Sequence, residues 1–63
     1  MANLSNMELQ NLRHIMMSEQ LKAVKSDVFA QQVSNPQLKS FLENKSQQAR
    51  DSVNRLNQFL NAY

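Results

Sequence analysis

Few residues in this chain are of types that do chemistry, and none is placed to work with another. His14 is the single histidine, and cysteine is absent. That removes thiolate zinc sites and leaves a histidine-rich metal site without a second ligand. Di-iron helical bundles need Glu-x-x-His on facing helices, whereas here Asn11 stands three residues before His14 and no histidine follows it. Ser18, Ser26, Ser40, Ser46 and Ser52 sit in no glycine-framed elbow, so none reads as a nucleophile. A phosphate-cradling loop cannot form, because the chain has no glycine. Met7, Met16 and Met17 read as adaptable core filling, and His14 as a structural residue at a helix or subunit interface. No catalytic, cofactor-binding or metal-ligating residue is therefore expected, and no enzyme activity.

The charges point to no polyanionic partner. Seven Lys and Arg, scattered at positions 13, 22, 25, 39, 45, 50 and 55, stand against five Asp and Glu, for a net charge of +2. A surplus of two with no basic block is too weak to predict nucleic acid or an anionic membrane as partner. Eight Asn and eight Gln make up a quarter of the 63 residues, but they are interspersed with periodic apolar positions and form no low-complexity tract. No apolar run approaches the roughly 20 residues of a membrane span. Met1-Ala2-Asn3-Leu4 lacks the charged start and continuous apolar core of an export signal. The expectation is a chain made and retained in the cytoplasm.

Two helices must carry these residues. Ser5-Asn6-Met7-Glu8 fits a capping box, with Leu4 and Leu9 at the positions of a hydrophobic staple. Nothing after it breaks a helix until about Gln32. The one break lies in Val33-Ser34-Asn35-Pro36, which holds the only proline. Proline at a first helical position forfeits an amide that has no partner anyway, and it biases the preceding Asn35 towards the extended conformation of an N-cap. The spacing predicts one domain over 1–63: helix 1 at about 5–32, an elbow at 33–35 and helix 2 at about 36–61. So short a linker forces the helices antiparallel, giving an all-α hairpin.

The apolar pattern differs between the two. Helix 2 shows one heptad seam, Leu38, Leu42, Lys45, Ala49, Ser52, Leu56, Phe59 and Tyr63, widened by Phe41, Val53 and Leu60. Helix 1 shows two stripes. Met7, His14, Met17, Leu21, Val24 and Val28 form one; Leu9, Leu12, Met16, Ala23 and Ala30 form the other. One neighbouring helix cannot cover both. A chain this short is also marginal alone, and with no disulfide or metal available the remaining remedy is oligomerisation. Two copies are thus expected to form a four-helix bundle, with Leu9, Leu12, His14, Met16, Met17, Leu21, Val24, Val28, Leu38, Leu42, Ala49, Leu56 and Phe59 in its core and dimer interface. With the elbow centred on Ser34, Glu19 is expected to face Arg50, and Asp27 to come within a turn of Lys45, giving an ion pair at one or both places.

The order of residues resembles the CotF-like spore coat family of endospore-forming bacteria. The likeness runs through Met7-Glu8-Leu9-Gln10-Asn11-Leu12, Ser18-Glu19-Gln20-Leu21-Lys22 and Phe29-Ala30-Gln31-Gln32. It continues in Asn35-Pro36-Gln37-Leu38-Lys39, Gln47-Gln48 and Arg55-Leu56. That family looks ferritin-like, with longer members carrying four helices and short ones a single hairpin. The resemblance implies a sporulation-linked structural protein, made in the cytoplasm and deposited in the spore coat among other coat proteins. It carries over no oxidase activity, since the metal ligands are missing. The alternative reading, drawn from other dimeric helical hairpins of this size, is a small RNA-binding regulator.

Overall fold

The computed structural model describes residues 4–61. Helix α1 spans Asn6–Gln32 (27 residues) and α2 spans Pro36–Asn61 (26 residues). Both bounds lie within a residue of those read from the capping signals. Ser5 is the N-cap of α1, in extended conformation at φ −69° and ψ 163°. The Glu8 N–H donates to Ser5 Oγ at 3.1 Å and the Ser5 N–H donates to Glu8 Oε1 at 3.0 Å, so the box closes reciprocally.

The elbow is built without glycine because it never leaves ordinary backbone territory. No residue with positive φ occurs among the described residues. Val33 is extended at φ −93° and ψ 145°, and its N–H closes the last turn of α1 on the Phe29 carbonyl at 3.1 Å. Asn35 then caps α2: its Oδ1 accepts from the Gln37 and Leu38 N–H groups at 2.9 and 3.0 Å. Two donors of the new helix are thereby satisfied beside a proline that needs none.

The two helices pack through small side chains. Among the described residues, Ala23, Ser26 and Ala30 of α1 and Ser46 and Ala49 of α2 are the buried ones, Ser46 and Ala49 being only 1% and 2% exposed. Around them runs the half-buried remainder of the contact. On α1 the line is Leu9, Leu12, Met16, Glu19, Ala23, Ser26 and Ala30, continued by Val33 at the C-cap; on α2 it is Leu42, Ser46, Ala49, Val53, Leu56 and Leu60. Steps of three and four alternate along both, the signature of two helices crossing at a shallow angle.

This line corrects the expected seam of α2. Leu42, Ala49 and Leu56 belong to both, and Val53 and Leu60, expected to widen the seam, turn inwards as well; but Leu38, Phe41, Lys45 and Phe59 are exposed, and Ser46 takes the inner place instead. Ser52 is half-buried at the edge of the contact, and Tyr63 lies outside the described residues. The reason is steric and electrostatic together. A close approach over Ala23, Ser26 and Ala30 needs small partners, which Ser46 provides. Lys45 in that place would bring a charge out of water without a partner. Its ammonium instead sits 5.5 Å from the centre of the Phe41 ring, on the exposed side.

A single hairpin is one layer of helix, not a globule. Its extents are 47 × 17 × 11 Å and its radius of gyration is 14.6 Å. A compact chain of this length would have a radius near 11 Å.

Candidate interaction surface

The structure separates the two stripes of α1. The Leu9–Leu12–Met16–Ala23–Ala30 stripe faces α2. Met7, His14, Met17, Leu21, Val24 and Val28 all lie exposed. Met7 is 72%, Met17 64%, Val24 58% and Leu21 55% open to solvent. From His14 on, each outer residue follows an inner one by five positions, which at 100° per residue places the outer seam about 140° round the helix from the inner. Four steps of three and four, from His14 to Val28, keep it on one line. Its middle forms a shallow open trough of about 650 Å³, lined by His14, Met17, Ser18, Gln20, Leu21 and Val24.

Of the thirteen residues expected in the core and interface, Ala49 is buried and Leu9, Leu12, Met16, Leu42 and Leu56 are half-buried between the helices. His14, Met17, Leu21, Val24 and Val28 are brought together on the outer seam of α1. Leu38 and Phe59 stand apart from both, on the side of the hairpin where α2 also exposes Phe41 and α1 exposes Ile15 and Phe29. Near the open end, Ile15 and Phe59 border a second trough of about 340 Å³ with Leu4, Leu12 and Leu56. Ser26 and Ser46 were not singled out as core. The signal that marks them is their place on the heptad lines through Ala23–Ala30 and Leu42–Ala49, where a small hydroxyl side chain fits a close crossing.

One polar cluster ties the helices on the opposite side. The Arg50 guanidinium donates to the Asp27 carboxylate across the hairpin and to Ser46 Oγ one turn back along α2. Arg50 first and Ser46 second hold the Asp27 carboxyl below its ordinary range. Glu8 is also lowered, by the backbone N–H of Ser5 and then by its hydroxyl. The expected Glu19–Arg50 and Asp27–Lys45 pairs do not form. Glu19 accepts instead from Lys22 at 3.3 Å within α1. The cause is the tilt of Cα–Cβ bonds towards the N-terminus of their own helix. Arg50 leans towards the elbow and Asp27 leans away from it, so they meet; Glu19 leans towards the open end, and Arg50 turns its back on it.

Among the described residues there is no group of three or more His, Cys, Asp or Glu that could hold a metal, and no helix is long and apolar enough to cross a membrane. What the surface offers is apolar area arranged in a line, which suits helix-to-helix contact. No family model, no curated protein and no solved structure matches the chain.

Proposed function

We propose that this chain is a non-enzymatic structural protein that acts as a homodimer, in the manner of the CotF-like spore coat proteins its sequence resembles. The observation that carries the dimer is the bare seam of α1 from Met7 to Val28. The hairpin as a whole also has surface to spare for such a contact. The hairpin presents 5070 Å² to solvent, against about 4,200 Å² for a compact monomer of 7.3 kDa. The excess of roughly 900 Å² is close to the ~800 Å² that each partner buries in a standard interface. Apolar lines of this kind are covered by other helices, and the same seam on a second copy is the matching surface.

Because the outer seam lies almost opposite the inner one, the four helices form a flattened bundle, with the two α1 helices central and one α2 on each side. A square bundle would need α1 to meet its two neighbours at adjacent corners. The assignment to the spore coat rests on the sequence resemblance, and the amide-rich exterior agrees with close packing in a protein layer.

Sedimentation equilibrium tests the dimer. The wild type should run at about 15 kDa, twice the chain mass, and Leu21→Asp should run as a monomer with lost helicity. A carboxylate buried without a partner costs several kcal/mol, and a chain this small holds little stability in reserve. A wild type that is monomeric, folded and cooperative at micromolar concentration would overturn the reading. The coat assignment is tested separately. A fluorescent fusion in an endospore-forming host should collect at the spore surface, and diffuse fluorescence through sporulation would sink that part alone.

A further inference from the structure

We infer that the two α1 helices pack antiparallel across their outer seams, with the elbows at opposite ends and Arg13 of each copy beside Asp27 of the other. This rests on the homodimer proposed above and adds its direction. The carrying observation is charge placement along one edge of the seam. Arg13 and Asp27 are two heptads apart and so occupy the same position on the helix, about 21 Å apart along its axis. Arg13 has no carboxylate partner among the described residues. Asp27 already accepts from Arg50, yet its side chain stays 36% open to solvent.

In an antiparallel pair, residues equidistant from the two-fold axis meet. The midpoint of Arg13 and Asp27 is position 20. The midpoint of the apolar seam, between Met17 and Leu21, is position 19. One axis therefore serves both: it sets Met17 against Leu21 of the other copy, His14 against Val24, and closes two Arg–Asp contacts. On the other edge, Lys25 falls beside Asn11 of the other copy, so no like charges are opposed. A parallel pair has none of these matches. Arg13 would lie beside Ser18 and Asp27 beside Gln32, and the positive N-terminal ends of two long helices would be set side by side.

The chain has no cysteine, so single-cysteine variants report the direction without background. Gln10 and Val28 are equidistant from the proposed axis. Oxidation of a co-refolded mixture of Gln10→Cys and Val28→Cys should give the mixed disulfide, while neither variant links to itself. Like residues at these positions stand about 27 Å apart in the antiparallel pair, far beyond disulfide reach. Self-linking of Val28→Cys alone would overturn the proposal in favour of a parallel pair. So would a dimer by sedimentation that yields no mixed product. A monomer by sedimentation would instead remove the homodimer on which the proposal rests. Arg13→Asp adds the charge readout: the dimer should dissociate about tenfold more readily, with the difference shrinking as salt is raised. An unchanged dissociation constant at low salt would overturn the Arg13–Asp27 contact.

Discussion

Asp27 is the residue on which the two helices hold each other by charge. Its carboxylate accepts a hydrogen bond from the Arg50 guanidinium across the hairpin, and Arg50 is steadied by Ser46 beneath it, the least exposed residue described. The contact lies near the surface, so its worth is modest and screened by salt. It should nevertheless be visible in the pH dependence. A carboxyl held below its ordinary value in the fold adds stability that is complete above the unfolded pKa and is lost as pH falls through the folded one. Asp27 and Glu8 are both lowered, from ordinary values of 3.8 and 4.5, so the loss belongs below about pH 5. Asp27→Asn should melt roughly 2–5 °C below the wild type at pH 7, and the two melting curves should converge as pH falls below the ordinary carboxyl value of 3.8. Circular dichroism melts across that range check it; a gap that stays constant with pH would assign the effect to something other than the charge. At the same scale, Lys45 shows why a heptad position is not by itself a core position. Its cation gains a ring face at Phe41 outside the contact, while the neighbouring Ser46 goes in.

At the scale of the helices, the ends are determined locally and the faces are not. The start of α1 is carried by Ser5 and Glu8, and the start of α2 by Asn35 and Pro36. Each signal is complete within four residues, which is why the bounds could be read from the order of amino acids. Asn35 should behave as a cap: Asn35→Ala should cost about 1 kcal/mol and Asn35→Gly only a few tenths. Urea unfolding of the two variants checks the order, and equal losses would mean that Pro36 alone starts the helix. The packing faces depend on the other helix. Leu42, Ala49 and Leu56 are compatible with two adjacent lines on α2, and only the small surface of Ala23, Ser26 and Ala30 selects the line through Ser46 and Val53. For the same reason the two stripes of α1 were legible as stripes, while the choice of which one meets α2 was not. The ion pair was missed because facing positions were matched without the backward lean of the side chains. That lean moves Arg50 and Asp27 together and separates Arg50 from Glu19.

At the scale of the whole molecule, the hairpin buries no large side chain completely among the described residues. Among the described residues the buried ones are three alanines and two serines, while Met7, Met17, Leu21, Val24 and six other large apolar side chains remain mostly or half exposed. Burying alanine and serine removes little apolar area, and area is what offsets the conformational entropy lost in ordering some fifty helical residues. The long side chains that could supply it point away from the facing helix of the hairpin. Folding and pairing should then be one event, so that the melting temperature depends on concentration. For a dimer unfolding with about 0.7 kcal/mol of enthalpy per residue, a hundredfold rise in concentration should raise the midpoint by about 10 °C. Melts at about 5 and about 500 µM separate the cases. A midpoint that does not move would mean that one copy folds alone, and that small-residue packing and two well-made caps suffice without the outer seam. A midpoint that rises as stated would mean that the exposed face of α1 is part of the core, shared between two chains.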